Sequence, residues 1–519
     1  MTVTKRAKRS RAWRRKKDKH ARFVNSSTRC PDGAAACRVG TEVVTAIHPI
    51  AWSANDIVTA TGGKLLSGSP GQAFAGISID SRNMAADDLF VAIVGEVHDG
   101  HRFCEAVIEQ GGRGVVVATN KAGELPIAEW DRRQISCIAV SDTTRALGDM
   151  AVFTLARSGA RVIGITGSNG KTTTRKFTAS VVGRRYRTLA TRGNLNNAIG
   201  LPLTLLRLTP DVEWAILEMG TNHPGEIAYL ARLCRPEIGM ITNIAPAHLE
   251  GLGTLDGVMR AKGELLQELK AGGRAVLNAD DPRLRTLADE CAHPVVLFGT
   301  GAGAAVRAVD IKETMDGVSF KLVIEGRQID IRLRIPGRFM IANALAAATV
   351  GHLLGLPLEM IKDGLEQVTA EGGRMAVIRT AGDITIVDDA YNANPASMQA
   401  AFDALGSLRG GRRAALVLGD MLELGREAAD WHRKIGAAAA RSGADRIYFF
   451  GDHAGQAAES ARRERALAGD VVTGSQTEII ADLKAWLASG DWVLVKGSRG
   501  MRMDRIVSEL KAWADSPGK

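Results

Sequence analysis

Short apolar runs alternate with longer stretches of helical period through the middle of the chain: RVIGIT at 161–166, EWAILEM at 213–219, IGMITNI at 238–244, RAVLNAD at 274–280 and VVLFG at 295–299. The alternation resumes towards the C-terminus with ITIVDDA, AALVLGD, RIYFFG and WVLVKGS. Apolar runs of this length suit strands buried on both faces, and strands alternating with helices predict parallel sheets covered on each side. The fold class read from this pattern is α/β. Many of the runs end in a polar or charged residue, namely Glu218, Asn243, Asn278, Asp389, Asp420 and Lys496. Ligands of open parallel sheets sit beyond the carboxyl ends of the strands, so two such domains could close around a shared cleft. Taken singly, each of these residues is as readily a turn residue. Ahead of the first run lies a small mixed unit whose distinctive stretch is ISIDSRNMAADDLFVAIVGEVHDGHRF (77–103). A chain of 519 residues exceeds one core and suggests about three domains, with boundaries expected at 48–155, 156–368 and 369–519.

Charge changes this picture at one end only. Residues 1–22 hold eleven Lys/Arg against one acidic residue, a balance of +10 that equals the net charge of the whole protein, so residues 23–519 are neutral. Such a tail offers contact with nucleic acid or an anionic membrane. It also suits a targeting signal, although no apolar stretch follows to make it secretory. The plainer reading of residues 1–47 is a disordered basic extension that touches polyanions non-specifically, with no nucleic acid and no membrane as a required partner. No window approaches the roughly 18 unbroken apolar residues of a membrane span. Cys30, Cys37, Cys104, Cys137, Cys234 and Cys291 are scattered without a C-x-x-C pair or metal-type spacing, which fits thiols in a reducing cytoplasm.

The candidate chemistry begins at GSNGKTTT (167–174), between the strand run RVIGIT and a helix opening in RKFTASVVGRRY. Strand, glycine-rich turn and Lys-Thr at a helix start can hold a polyphosphate, because exposed N–H groups and the positive helix end face the anion. Lys171 adds a point charge, and the Thr172 hydroxyl can ligate Mg²⁺. The spacing is a variant: counting G-x-x-x-x-G-K-[ST] back from Gly170 puts Ile165 at the first glycine, and the glycines fall at Gly164, Gly167 and Gly170. A kinase or GTPase label does not follow, and the guanine-reading N-K-x-D is missing, since Asn120-Lys121 continues into Ala122-Gly123. Glu218, in EMGTNHPGE, is placed at a strand end as an acidic Mg²⁺ partner for Thr172. His248 lies in a loop after another strand, in NIAPAHLEGLGT (243–254), and by itself is as readily structural. Lys262, in MRAKGELLQELK, reads alone as a solvated helix lysine. Asn194, Asn196 and Asn197 cluster before an apolar helix, where amides cap the helix or bond a polar ligand. VDDAYNANPASM (387–398) is a second loop of that sort.

In chain order, GITGSNGKTTT, RGNLNNAIGLPLTLL, EMGTNHPGEI, NIAPAHLEG, AKGE, NALAAA, DDAYNANPASM, LGDMLELG and LVKGSRGMRM resemble the Mur ligases of bacterial peptidoglycan synthesis, over about residues 50–515. MGTNHPGEI, DDAYNANP and DMLELG favour the branch that adds D-alanyl-D-alanine to UDP-N-acetylmuramoyl-tripeptide. The branch adding the third amino acid carries a DNPR-type motif that is absent here. The resemblance implies a small mixed α/β N-terminal domain binding the uridine nucleotide, a central P-loop-type parallel-sheet ATPase domain and a C-terminal Rossmann-like α/β domain. It implies ATP as phosphoryl donor, an acyl-phosphate intermediate, two Mg²⁺ ions and a cytoplasmic, monomeric enzyme. By position it implies that Gly167, Ser168, Asn169, Gly170, Lys171, Thr172 and Thr173 cradle the phosphates. Thr172 and Glu218 would hold the first Mg²⁺ and His248 part of the second, with Lys262 carbamylated by CO₂ into an anionic metal ligand. Asn343 matches an adenine contact, Arg374 a γ-phosphate contact and Asp389 a nucleotide-contacting acid. Ser81 and Arg82 match the uridine segment, Asn194, Asn196 and Asn197 the muramyl-peptide side, and Asn392 and Asn394 the neighbourhood of the dipeptide. One departure is plain: Phe339 and Met340 stand where the family usually has His-Asn. A rival within the superfamily, folylpolyglutamate synthase, is disfavoured by the Asn-rich 192–197 loop and the extra N-terminal domain.

Removing residues 1–46 is expected to leave turnover unchanged. The check is a comparison of kcat for the soluble, folded truncation with that of the full chain, and a large loss would refute the reading of the tail.

Overall fold

The computed structural model describes residues 50–95, 98–314, 316–464 and 470–516. The basic tail and its two cysteines, Cys30 and Cys37, lie outside them. Three large sheets, each mixed in direction, organise the described chain, beside a two-stranded antiparallel pair of Trp52–Ser53 with Ala73–Phe74. The N-terminal sheet runs Lys64–Ser67, Ser136–Val140, Gly114–Ala118, Leu89–Val91 and Ile77–Ser78 in spatial order, with only the first pair antiparallel. Its core gathers Phe90, Cys104, Trp130 and Cys137 on one face and Trp52, Phe74, Leu147 and Met150 on the other. Burial pushes the Cys104 and Cys137 thiols up to about 12, so at neutral pH both act as small apolar side chains.

The central sheet has nine strands. Six of the segments read from the apolar pattern or added beside it lie parallel in the order Thr188–Ala190, Trp214–Glu218, Arg161–Thr166, Ile238–Ile241, Arg274–Asn278 and Val295–Gly299. An unforeseen meander, Val306–Thr314, Gly317–Ile324 and Arg327–Leu333, extends this sheet. Its first strand is parallel to Val295–Gly299 and the other two are antiparallel. The strand Arg161–Thr166 sits between Trp214–Glu218 and Ile238–Ile241. The chain therefore leaves it to one side and later returns to the other. A crevice opens at such a switch point, beyond the strand's carboxyl end. The helix that follows, Lys171–Val182, buries Phe177, Val181 and Val182 against the helices Met340–Leu353 and Leu358–Glu366. Each fully buried apolar side chain of this kind contributes about 1.5–3 kcal/mol, which fixes the helix's first turn relative to the sheet.

The C-terminal sheet repeats the arrangement. Its order is Ala376–Arg379, Thr385–Asp389, Trp492–Lys496, Ala414–Gly419, Arg446–Phe450 and Val471–Thr473, parallel after the first pair. Successive side chains of a strand point to opposite faces. Ala415, Val417, Val493 and Val495 accordingly enter one apolar layer, while Leu416, Leu418 and Leu494 join a larger core that continues into the central domain. Trp492–Lys496 lies between the strands ending at Asp389 and Gly419, a second switch point. The polar residues expected at strand ends lie there: Glu218, Asn278, Asp389 and Lys496 are terminal strand residues, Asp420 follows its strand directly and Asn243 is two beyond Ile241. No described helix is long and apolar enough to cross a membrane.

Candidate active site

The turn after Arg161–Thr166 is shaped by two glycines that no other residue could replace without displacement. Gly167 has φ +146°, and a Cβ there would lie 1.9 Å from Thr242 Oγ1; Gly170 has φ +79°, and its Cβ would lie 2.3 Å from Asn343 Oδ1. The residues between them are pinned from below. Ser168 Oγ donates to Ala245 O at 2.8 Å and accepts from Ala245 N at 2.9 Å. The Asn169 N–H donates to Asn243 Oδ1 at 2.9 Å, while the Asn169 carbonyl accepts from Thr242 Oγ1 at 2.6 Å. Thr174 N, bonded to Gly170 O, is the first helical donor with a partner in the ladder. The N–H groups of Lys171, Thr172 and Thr173 are orphans of the helix end and stand at the positive pole of its dipole.

Side chains around this turn meet in a small number of contacts. Lys171 Nζ donates to Gly167 O at 2.8 Å, folding the cation over the loop. Burial holds its pKa below the usual lysine range, with Arg374 acting in the same direction and Glu218 opposing. Thr172 Oγ1 donates to Glu218 Oε2 at 2.9 Å, and Asn196 Nδ2 donates to the other carboxylate oxygen at 2.9 Å. Glu218, 3% exposed, is thus a buried carboxylate held by a hydroxyl and an amide. Lys262, on the helix Leu255–Gln267, is 1% exposed, so the solvated-lysine reading does not describe it. Its amine has no hydrogen-bond or ionic partner among the described residues, and burial followed by repulsion from Lys171 holds its pKa well below the usual range. His248 Nδ1 lies 2.5 Å from Glu423 Oε2, a residue of the C-terminal domain, and that contact keeps the Glu423 carboxyl below its usual range.

The opposite wall comes from the C-terminal domain. Asp389 Oδ2 accepts from Lys496 Nζ at 2.5 Å, and the same ammonium reaches Asn392 O at 3.0 Å. Burial raises the Asp389 pKa, with Lys496 opposing. The Tyr391 ring carries the Arg374 guanidinium at 4.0 Å and that of Arg499 at 5.1 Å, so one aromatic ring orients two cations. Asn394 caps the helix Pro395–Leu408 through Ser397 N and also donates to Asn169 Oδ1 at 2.7 Å, which ties this wall to the glycine turn. The two walls enclose a cavity of about 1210 Å³, room for a nucleotide and more than one further group.

Of the residues singled out from sequence, all line this cavity except Gly167, Lys262, Ser81, Arg82 and the strand-end residues Asn278 and Asp420. Gly167 and Lys262 lie behind the lining. Arg82 is 84% exposed in the N-terminal domain, its guanidinium held by both carboxylate oxygens of Asp80. Asn197 Oδ1 accepts from Gly200 N at 2.8 Å and so caps the short helix Gly200–Leu205, whereas Asn194 is exposed and available. Asn343 accepts from Thr174 Oγ1 at 3.1 Å, and its amide nitrogen faces the Met340 sulfur at 3.8 Å. Tyr391, Glu423 and Arg499 were not singled out from sequence. Each lies within a quoted motif just beyond a strand run, DDAYNANP, LGDMLELG and LVKGSRG, and strand-end position was the signal that could have found them. Among the described residues no three His, Cys, Asp or Glu side chains form a metal cage. The donors present, a hydroxyl, a carboxylate and an imidazole, suit a cation that takes phosphate oxygens for the rest of its shell.

Comparison with known proteins bears on the family and the fold. Residues 73–153 match the Mur ligase family catalytic domain, 165–351 the Mur ligase middle domain and 373–499 the Mur ligase glutamate ligase domain. The UDP-N-acetylmuramoyl-tripeptide–D-alanyl-D-alanine ligase of Escherichia coli (strain K12) is 38% identical over 84% of this chain and 93% of its own length. The ligase of the same name from Bacillus subtilis (strain 168) is 35% identical over the same shares. A crystal structure of MurF from Acinetobacter baumannii superposes with a TM-score of 0.82 at 32% identity, covering 90% of this chain and all (100%) of that one. MurF ligase from Thermotoga maritima in complex with ADP gives 0.74 at 26% identity, over 85% and 98%. By sequence and by fold, the chain belongs to the Mur ligase family.

Proposed function

We propose that this protein is the ligase that joins D-alanyl-D-alanine to UDP-N-acetylmuramoyl-tripeptide at the expense of ATP, in the cytoplasmic synthesis of peptidoglycan precursors. The observation that carries the reading is one cavity with a phosphate turn on its central-domain wall and Arg374, Arg499 and Asn392 on the other. A carboxylate is a poor electrophile until one of its oxygens becomes a good leaving group. In the first step an oxygen of the tripeptide's terminal carboxylate attacks the γ-phosphorus, the bond to the bridging oxygen breaks and ADP departs. The dipeptide's amine then attacks the acyl-phosphate carbon and gives up a proton. The tetrahedral centre collapses to the amide as inorganic phosphate leaves.

Catalysis of phosphoryl transfer is mainly positioning and charge stabilisation. The orphan N–H groups at residues 171–173 and the Lys171 ammonium receive the β- and γ-phosphate oxygens, while Arg374, stacked on Tyr391, approaches the γ-phosphoryl from across the cavity. Mg²⁺, when bound, neutralises charge gathering on those oxygens. Thr172 with Glu218 would hold one ion, and His248 with a carbamylated Lys262 a second. Lys262 suits that modification: a buried amine without a partner favours its neutral form, whose nitrogen adds to the carbon of CO₂ and releases a proton. The product carries negative charge close to Lys171, where the unmodified cation was repelled. Asn194 and Asn196 are assigned to the muramyl-peptide side and Asn392 to the dipeptide side. Ser81 and Arg82, outside the cavity, are assigned to the uridine nucleotide, and Asn343 and Asp389 to ATP. A single copy is taken as the working unit, with domains at 48–155, 156–368 and 369–519.

The purified protein should release ADP only when both UDP-N-acetylmuramoyl-tripeptide and D-alanyl-D-alanine are supplied; release with diaminopimelate as the amine instead would overturn the assignment. Lys171→Ala should lower that rate on the order of a hundredfold or more while its circular dichroism stays native. Lys262→Ala should be inactive and partly restored by a short carboxylic acid that supplies the missing anion, measured as ADP release against acid concentration.

A further inference from the structure

Two residues with left-handed backbone meet where the central and C-terminal domains touch. His248 has φ +54° and Glu423 has φ +62°, a conformation that non-glycine side chains adopt only when the surroundings impose it. His248 begins the short helix Leu249–Leu252, and Leu252 N returns to its carbonyl at 2.9 Å. Glu423 is held more firmly still. Asp420 accepts from Asp452 N at 2.7 Å, Met421 N donates to His432 Nε2 at 3.0 Å, and Leu422 N donates to Ser498 Oγ at 2.8 Å. Three consecutive residues are thus anchored before the chain reaches Glu423, whose carbonyl then accepts from Glu250 N at 3.0 Å. The carboxylate arrives 2.5 Å from His248 Nδ1.

A carboxylate only accepts, so in the neutral ring the proton resides on Nδ1 and the lone pair on Nε2. Nε2 has no hydrogen-bond partner among the described residues, and His248 lines the cavity. Metal-bound histidines are commonly fixed this way, with the far nitrogen donating to a carboxylate that sets the tautomer and raises the ring's basicity. We propose that Glu423 is a positioning residue that sets His248 in its Nδ1–H tautomer for the second metal ion, so that contact between the domains and metal affinity are coupled. The inference rests on the proposed role of His248. A carboxylate that served only to staple the domains would need neither the ring's Nδ1 nor a free Nε2.

The test is Mn²⁺ binding to the full chain, followed by electron paramagnetic resonance in the presence of a β,γ-methylene ATP analogue. It is paired with ¹⁵N resonances of the His248 ring, assigned with the His248→Gln variant. The wild type should take up two Mn²⁺ ions and hold the ring proton on Nδ1. Glu423→Ala should weaken one of the two ions by about 10–100-fold, leave the other unchanged and lose the Nδ1–H preference. Glu423→Gln, whose amide oxygen still accepts from Nδ1–H, should show a smaller loss at the same ion and serves as the readout if the alanine variant folds poorly. Equal Mn²⁺ affinities in wild type and both variants, with two ions bound throughout, would overturn the role of Glu423 while leaving His248 a ligand. A wild type that binds a single ion would overturn both.

Discussion

Charge buried at the ends of parallel strands is the constraint on which the cleft depends. Removing one partner of a buried ion pair typically destabilises by about 3–5 kcal/mol, because a charge is left uncompensated. Each such group here has therefore been given a partner or has lost its charge. Lys496 and Asp389 neutralise one another across adjacent strands of the C-terminal sheet. Glu218 is held by Thr172 and Asn196, with its own backbone N–H tied to Thr191. Lys262, with no partner among the described residues and a second buried lysine nearby, is held towards its neutral form. A site arranged like this has a surplus of positive potential, which suits a polyphosphate and a lysine that becomes an anion.

The pairing also explains why the polar groups converge. Arg161–Thr166 lies between two strands that both follow it in the chain and Trp492–Lys496 between two that both precede it, and both switch points face the same cavity. Asn394 illustrates the economy of the result: one amide caps a helix of its own domain and bonds the phosphate turn of the other.

Much of this was legible in the sequence, for a definite reason. Strands buried on both faces must be almost wholly apolar, so RVIGIT, AALVLG and WVLVK announce themselves. The meander at 306–333 did not, since its strands are not unbroken apolar runs: Val318, Phe320, Leu322 and Ile324, and then Ile329, Ile331 and Leu333, alternate with more exposed positions, a period-2 signal that a search for continuous apolar runs passes over. The glycine turn was legible as a motif, but not why its spacing departs from the usual pattern: Gly167 and Gly170 answer to Thr242 and Asn343, residues about 75 and 173 positions away. Lys262 shows the limit most sharply. Its helix carries the period of an amphipathic surface, and only the tertiary structure reveals that this residue faces inward. The replacement of His-Asn by Phe339-Met340 could be seen but not evaluated. In the structure the Met340 sulfur, a weak acceptor, faces the Asn343 amide, while the Asn343 oxygen is engaged by Thr174. That asparagine is thus already built into the support of the phosphate-turn helix.

Dividing the site between two domains has a chemical rationale. An acyl phosphate is as open to water as to an amine, and a complete active site standing open in one rigid domain would waste it by hydrolysis. Here neither wall suffices alone. The glycine turn belongs to one domain, the paired arginines to the other, and the contacts that join them fall on residues of the proposed site: Asn394 on Asn169 of the turn, Glu423 on His248. In the proposed mechanism, approach of the two walls would do two things at once, excluding solvent and completing the charge-stabilising set. The linkage runs both ways, because any ligand that bridges the walls favours their approach by its differential affinity for the closed arrangement. A nucleotide whose γ-phosphoryl reaches both Lys171 and Arg374 would be such a ligand, so phosphoryl transfer is favoured in the form of the protein from which water is already excluded.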